Sequence, residues 1–284
     1  MPSPGLSRSS RSVQATAATG QTIDEPSDRP SIEDEGCTID NVDGTIAHYS
    51  GEFSHWNFSM HVKRNIDDLM AKANVPAEAG NANQVPTYIR VGEAHPDSTS
   101  MLEIVALLPP RPVADFLVRV VFRHATSTYF IIEPIWVNCM MDALYNNPAA
   151  LSAKDVTGAC TVIMVLAVGT QYAHLESSER NASTTADSGS SWELDIGSAF
   201  YQLVARLLAE IIHSGSLLSV QACLLLGLYT LAVDASGLGY IYLNLAIKLA
   251  IQNGMHRRSV PGAFDVGTEE VRRLVWWSAY CMER

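Results

Sequence analysis

Two sets of side chains early in the sequence have types that could bind a metal ion. His48, His55 and His61 lie close together in the chain, but no cysteine or carboxylate accompanies them at the spacing of a zinc site. The pair Asp67–Asp68 falls on a helical pattern, where carboxylates can hold Mg²⁺ for a transfer reaction. Ala71 occupies the place of the last carboxylate that such a site needs. We therefore assign no metal ligand here.

The rest of the chain lacks the motifs of the common enzyme chemistries. It contains no glycine-rich phosphate loop, no nucleophile elbow and no paired His and Cys residues. Its cysteines are scattered, and all but the first lie inside apolar helical patterns, where a thiol behaves as a small hydrophobic group: Cys37, Cys139, Cys160, Cys223, Cys281. The sequence predicts no catalytic residue, no cofactor and no enzyme.

Four side chains in the last third of the chain are candidates for a ligand or interaction surface: Gln221, Arg273, Trp276 and Trp277. Gln221 is an amide on a largely apolar helical pattern, where it could contact a ligand or, more commonly, be buried with its hydrogen bond satisfied. Successive helical residues point about 100° apart, so one of the two tryptophans should pack in the core while the other covers a neighbouring helix. A ligand pocket lined by both is the alternative.

The arginines near the end of the sequence have two interpretations. Arg272, Arg273 and Arg284 could form a phosphate-binding cluster, but Glu269 and Glu270 lie within pairing distance along a helix. We predict a solvated, salt-bridged face.

The charge balance excludes one class of function for these residues. The chain has 19 basic and 30 acidic residues, a net charge of −11, whereas a nucleic-acid surface needs clustered Lys and Arg to neutralise phosphates. Direct DNA binding is therefore not expected.

The apolar runs 159–169 and 217–233 are too short or too polar for a membrane span of about 20 residues, so we predict core helices and no membrane.

The elements that would position the candidates are helical throughout. Residues 1–45 are acidic and rich in Ser, Thr and Pro, and predict a disordered acidic N-terminal tail. Residues 46–100 predict an aromatic turn, a short helix and a loop. Residues 101–284 predict an antiparallel multi-helix bundle, which makes the fold all-α.

Several boundaries inside the bundle can be predicted from local signals. Ser152 and Asp155 have the spacing of a capping box before a helix over 153–175, which is apolar nearly all round and should be central. The periodic residues over 200–212 predict one continuous helix. Ser216 or Ser219 should cap the next helix, and Thr268 the last. We expect Ile241, Leu245 and Leu249 to be buried on one helix, and the stretch 176–191 to form a loop.

Four motifs in order carry a resemblance to a known family: Ser219-Val-Gln-Ala-Cys-Leu-Leu-Leu-Gly-Leu-Tyr229, Leu243-Asn-Leu-Ala-Ile-Lys-Leu-Ala250, Gly254-Met-His-Arg257 and Arg272-Arg-Leu-Val-Trp-Trp-Ser-Ala-Tyr-Cys-Met-Glu-Arg284. They resemble the middle homology region of fungal binuclear zinc cluster (Zn2Cys6) transcription factors, with weaker likeness back to Leu108. The resemblance implies a nuclear protein that regulates transcription.

The resemblance also implies partners. Promoter DNA is expected at the level of the family only, because members bind it through a separate module of six cysteines and two zinc ions, and that cluster is absent from this chain. Protein partners of the transcription machinery and a small-molecule effector are expected for the helical region. Members usually continue beyond the Trp-Trp helix, so we expect a C-terminally truncated domain whose last helix exposes apolar surface and favours self-association.

Two alternatives remain at this point. One is a helical scaffold or interaction protein without a role in transcription, disfavoured because no fixed repeat period is visible. The remote one is an enzyme of the all-α prenyl-transfer kind, which would rest on Asp67 and Asp68.

Overall fold

The computed structural model describes residues 38–43, 46–51, 55–72, 98–180, 190–234, 236–258 and 264–284. The elements are β1 (Thr38–Asp43), β2 (Ile46–Ser50), α1 (His55–Lys72), α2 (Ser98–Leu107), α3 (Arg111–Val120), α4 (Pro134–Asn146), α5 (Val156–Arg180), α6 (Ser190–Arg206), α7 (Leu208–Ser214), α8 (Leu217–Val233), α9 (Leu238–Gln252) and α10 (Val266–Glu283). The all-α bundle is confirmed. A π-helical turn, Val121–Ala125, follows α3.

The β1–β2 hairpin lies across the boundary that the sequence suggested between tail and aromatic turn. The strands pair antiparallel, and Thr38 lies opposite Ser50. Residues 38–43 are therefore strand and not tail, while residues 1–37, including Cys37, lie outside the described part of the chain. The predicted short helix is α1, which has 18 residues. The predicted loop over 71–100 ends earlier than expected, because α2 begins at Ser98.

Helix α5 is the centre of the bundle, as its composition predicts. Every residue from Ala159 to Val168 is completely buried, and α5 packs against α2, α3, α4, α6 and α8. Residues 153–176 are long and apolar enough to span a membrane, but 89% of the 18-residue apolar stretch within them is buried inside the protein. Its apolar character is thus accounted for by core packing.

The predicted capping box starts this region. The Asp155 carboxylate accepts hydrogen bonds from the backbone N–H and the hydroxyl of Ser152, both at 2.8 Å. The helix extends beyond the predicted end at 175, so residues 176–180 are helical rather than loop, as are residues 190–191 at the start of α6. Residues 181–189 lie outside the described ranges.

The helix predicted over 200–212 is two helices. Leu207, with φ −87° and ψ 8°, separates α6 from α7, although no glycine or proline marks the break. The apolar spacing holds on both sides, because Leu203, Val204 and Ile211 are all buried. The periodicity therefore predicted the buried face correctly, but the prediction of one continuous helix was wrong.

Helices α8 and α9 form a tight helical hairpin. Gly237, with φ 86°, makes the left-handed turn between them. A Cβ atom at Gly227 would lie 2.6 Å from Leu243 Cδ2, so glycine lets the two helices approach closely. The prediction that Ile241 is buried is wrong, since its side chain is 64% exposed. The main packing of α9 is with α8, α10 and β2, and Ile241 lies on the side that these leave open.

Candidate functional site

The last helix, α10, positions three of the four candidate side chains. Its N-cap is Asp265, whose carboxylate accepts a 3.0 Å hydrogen bond from the backbone N–H of Thr268. The prediction of Thr268 as the cap is therefore wrong by three residues, since Thr268 donates from its backbone to the capping carboxylate. Hydrogen bonds from the hydroxyl of Thr268 and from its backbone N–H lower the pKa of Asp265. Helix α10 packs mainly against α9 and more lightly against α8.

Gln221 is a buried structural amide. Its Nε2 donates a 2.8 Å hydrogen bond to the carbonyl oxygen of Ile131, in the non-helical segment before α4. The bond ties α8 to a segment 90 residues away and satisfies a carbonyl that no helix or strand pairs. The interpretation of Gln221 as a buried, hydrogen-bonded amide is therefore confirmed for its side-chain nitrogen.

Gln221 also lies at the wall of a cleft. The cleft has a volume of about 310 Å³ and lies between the start of α8, the start of α10 and the segment before α4. Its lining combines apolar surface with carboxylate and amide groups: Ile132, Glu133, Trp136, Leu217, Leu218, Gln221, Asp265, Gly267, Thr268, Val271. The volume lies at the small end of the range for ligand sites, about 300–1,000 Å³.

Arg273 lies on the outer face of α10. Its guanidinium is paired with Glu270, with 2.8 Å between Arg273 Nε and a carboxylate oxygen, and both side chains are more than half exposed. The predicted salt-bridged surface is confirmed for this residue. An exposed pair of this kind contributes little to stability.

Arg272, predicted to belong to the same exposed face, is instead buried. Only 4% of the residue is accessible, its Nη2 donates to the carbonyl oxygen of Asn253 at 2.5 Å, and its guanidinium carbon lies 4.3 Å from the centre of the Phe264 ring. No carboxylate pairs with it among the described residues, and its Nη1 has no partner there. Burial lowers its pKa to about 10.

Asn253 connects the elements that meet at Arg272. This fully buried residue follows α9, and its Nδ2 donates to the carbonyl oxygens of Gly215 and Leu249 at 2.6 and 2.9 Å. Since Gly215 precedes α8 and Arg272 belongs to α10, one asparagine ties three helices together. Gly254, with φ 67°, then turns the chain in the left-handed conformation that glycine adopts readily.

The two tryptophans are separated by the helix geometry as expected. Trp276 is partly buried against the core, with its ring 5.8 Å from that of His256. Trp277 is 51% exposed and meets Tyr280 edge to face. Neither tryptophan borders the cleft. The predicted exposure of apolar surface on the last helix is confirmed at Trp277.

His256 joins the hairpin to this junction. The rings of His256 and Tyr49 of β2 meet edge to face with centres 4.6 Å apart, and Arg257 lies over the same tyrosine ring. Burial and the charge of Arg257 lower the pKa of His256. The neutral imidazole is therefore favoured in this aromatic contact.

Comparisons with known proteins bear on this arrangement. The family described as "Fungal specific transcription factor domain" matches residues 130–284, which is more than half of the chain and contains α4 to α10. The chain belongs to this family. No solved structure matches it significantly.

Curated relatives of the domain are fungal regulators. An uncharacterized transcriptional regulatory protein of Schizosaccharomyces pombe is 27% identical over 71% of this chain and 25% of its own length. The thiamine repressible genes regulatory protein thi1 of the same yeast is 25% identical over 66% of this chain and 23% of its own length. Activator of stress genes 1 of Saccharomyces cerevisiae is 24% identical over 77% of this chain and 21% of its own length. The chain thus spans about a quarter of each relative.

The cysteines of this transcription factor domain do not fit a zinc cluster. Cys160 and Cys223 are buried inside α5 and α8, and burial raises the pKa of both thiols to about 12, which disfavours the thiolate that zinc requires. Cys139 and Cys281 are exposed on α4 and α10. Within the described ranges, no three His, Cys, Asp or Glu side chains converge on a metal site.

Among the arginines near the end of this domain, Arg272 is one that sequence reasoning misplaced. A signal was present, because Arg272, Val275 and Ala279 follow the i, i+3, i+7 spacing of one helix face, and all three are buried. The prediction gave more weight to the basic character of the side chain than to its position on this buried face. What the sequence could not supply is its acceptor, the backbone carbonyl of Asn253.

Proposed function

We propose that this chain is the regulatory region of a fungal transcription regulator and controls transcription from promoters through protein interaction or effector response, without catalysis. The observation that supports it is the family match over residues 130–284, which covers α4 to α10 and most of the buried hydrophobic core. The names of thi1 and of Activator of stress genes 1 refer to different sets of genes, so the proposal is confined to regulation of transcription as such.

The proposal assigns DNA binding and zinc to a separate module and places the protein in the nucleus. The net charge of −11 and the positions of the described cysteines support this division. We expect the isolated chain to give no sequence-selective shift of promoter DNA in a gel, since acidic residues outnumber the basic residues that could neutralise phosphates. Selective and salt-sensitive retardation would contradict this part of the proposal.

The test of the regulatory role is a tethering experiment. The chain is fused to a heterologous DNA-binding module, and reporter output is measured across growth conditions in a fungal host. We expect output to differ from that of the module alone and to be reduced by Arg272→Ala, which disturbs the junction between α9 and α10. Arg273→Ala is the matched control, because it changes the neighbouring arginine on the exposed face. Unchanged output under every condition would count against the role.

A second proposal concerns the small-molecule effector, which we place in the 310 Å³ cleft beside Gln221. Because the nitrogen of Gln221 is occupied by Ile131, the polar lining offers mainly acceptors, with Glu133 and Asp265 carrying negative charge. This chemistry suits a small ligand that carries hydrogen-bond donors or a positive charge.

Filling the cleft tests this assignment. Leu218→Trp should remove the response of the tethered chain to growth conditions while its circular dichroism stays that of a folded helical protein. Val266→Trp is the control, since Val266 is highly exposed and does not line the cleft. An unchanged response in a folded Leu218→Trp chain would rule out the cleft as the effector site.

A further inference from the structure

Helix α1 presents a continuous apolar stripe to solvent. Five side chains on one face of this helix are between 39% and 65% exposed: Phe58, Val62, Ile66, Leu69 and Met70. Their spacing follows the i, i+4, i+8, i+11, i+12 pattern of a helix that buries one face. In a helix with a packed partner, these positions would form the core.

No such partner is found within the described part of this chain. The extensive packing of the bundle involves α2 to α10, whereas α1 makes at most marginal contacts with the other described elements. An 18-residue helix without tertiary packing is only marginally stable in water. Among the described residues, the stripe therefore lacks the cover that both its composition and its stability require.

The charges beside the stripe indicate what covers it. Lys63 and Asp67 lie one turn apart on the same flank of the stripe, and both are exposed. If two α1 helices pack antiparallel about a two-fold axis near residue 65, Lys63 of each copy lies beside Asp67 of the other. That axis passes near the middle of the stripe, which runs from Phe58 to Met70. Apolar and ionic contacts are thus satisfied by the same arrangement.

We propose that α1 is a self-association element, which packs antiparallel against α1 of a second copy of this chain. Such a contact is isologous, with the same surface used by both copies. A membrane surface fits less well, because the two acidic residues Asp67 and Asp68 nearly balance the basic residues of the helix, and anionic lipid selects a basic polar face. The inference does not depend on a role in transcription.

The expected dimer is weak. A helix of 18 residues is about 27 Å long. One pair of such helices gives an interface at or below the low end of the range for stable complexes, about 1,200–2,000 Å² of total area. Association should therefore depend on protein concentration and show in sedimentation velocity of the full chain over a dilution series.

Charge reversal tests the pairing. Lys63→Asp and Asp67→Lys should each weaken self-association about tenfold, because each replaces two attractive contacts across the axis by two repulsive ones. An equal mixture of the two variants should associate again as a heterodimer, since both carboxylates of one chain then lie beside the ammonium groups of the other. Loss of the Lys63 to Asp67 contact within one helix cannot produce this recovery on mixing.

Two controls separate this contact from general effects. Arg64→Asp reverses the neighbouring charge on the side of α1 opposite the stripe and should associate like the unaltered chain. Ile66→Asp should give a monomer whose circular dichroism retains the signal of the helical bundle. A chain that stays monomeric at every concentration, or variants that do not recover on mixing, would overturn the proposal.

Cross-linking tests the direction of the pair. In a background with Cys37, Cys139 and Cys281 changed to serine, a mixture of Phe58→Cys and Met70→Cys chains should form a disulfide between the two copies under mild oxidation. Phe58→Cys chains alone should form little, because the two positions 58 lie at opposite ends of an antiparallel pair. Efficient cross-linking of Phe58→Cys alone would show a parallel pair and overturn this arrangement.

Discussion

The centre of the bundle and its C-terminal junction are built from different interactions. Helices α5 and α8 are buried on nearly all sides by apolar contacts, with residues such as Ile163 and Leu224 completely enclosed. At the junction of α9 and α10, a buried arginine bonds to the backbone carbonyl of Asn253, and polar atoms of both residues remain without partners in the described structure. Apolar packing tolerates similar side chains, whereas a buried polar contact depends on one acceptor in one position. We therefore expect the centre to supply stability and the junction to supply specificity.

The largest effect should come from the centre. Leu224→Ala removes a fully buried side chain from α8 and leaves a cavity, so the free energy of unfolding should fall by about 2–5 kcal/mol. Urea unfolding followed by circular dichroism measures this loss. Leu231→Ala on the same helix is the control and should cost much less, because Leu231 is 42% exposed. A mild effect of Leu224→Ala would remove the contrast between the two regions.

Substitutions at the junction of α9 and α10 should lower the free energy of unfolding less than Leu224→Ala does, and their effect should depend more on which side chain is introduced. Arg272→Ala removes the hydrogen bond to Asn253 and the contact with Phe264, and should lower the free energy of unfolding by about 1–3 kcal/mol. Arg272→Met should cost less than alanine, since it keeps the packing of the stem and removes a buried charge that no carboxylate compensates in the described structure. Urea unfolding measures both changes.

Arg273→Ala serves as the adjacent control for the junction. It should leave the unfolding midpoint nearly unchanged, because Arg273 is exposed. If Arg272→Ala and Arg273→Ala behave alike, the polar junction does not hold α10 in place.

The turn between α8 and α9 should contribute a smaller, purely backbone effect. Gly237 has φ 86°, and a Cβ atom added there would meet no other atom within 4 Å. Gly237→Ala should therefore destabilise the protein by about 1 kcal/mol through the left-handed conformation alone. Gly237→Asn should cost less, because asparagine adopts this conformation more readily. Equal costs for the two variants would show that the left-handed conformation is not the cause.

The smallest effect concerns pH. The pKa of His256 is lowered below its ordinary value of 6.5 by burial and by Arg257, so the unfolded chain binds this proton more readily than the folded protein. The contribution of neutral His256 to the free energy of unfolding is complete above pH 6.5. It is lost as the pH falls from 6.5 through the lower pKa that His256 has in the folded protein. We expect the urea midpoint to decrease between about pH 8 and pH 5.

A His256→Phe variant should reduce this dependence on pH while keeping the aromatic contacts with Tyr49 and Trp276. His174→Phe is the control, because His174 is exposed on α5. A slope that is unaffected by His256→Phe would show that other groups cause the pH dependence.

Much of the architecture could be predicted from local patterns. The capping box of Ser152 and the cap at Ser216 are both present in the structure, because each depends on residues a few positions apart. Predictions failed where a distant neighbour decided the outcome. Ile241 has the correct helical spacing but is left exposed by the helices that pack on α9, and Leu207 interrupts a pattern that carries no helix-breaking residue.

The candidate site residues also include some that local sequence was sufficient to place and others that only distant packing placed. The separation of Trp276 from Trp277 follows from helix geometry, and the sequence was sufficient to predict it. The cleft was not predictable, since Gln221, Trp136 and Thr268 are brought together only by the packing of α4, α8 and α10. Arg272 and Arg273 are adjacent and chemically identical, yet one is buried and the other is exposed.

By itself, the sequence determined the all-α class, the caps at Ser152 and Ser216, the central position of α5 and membership of the transcription factor family, because these depend on periodicity, short-range hydrogen bonds and the order of motifs. Only the tertiary structure decided which polar side chains are enclosed, where a cleft opens and which apolar face stays uncovered. Burial is a property of the neighbours that a side chain meets, and those neighbours lie far away in the chain. The contrast between Arg272 and Arg273 expresses that difference within a single turn of helix.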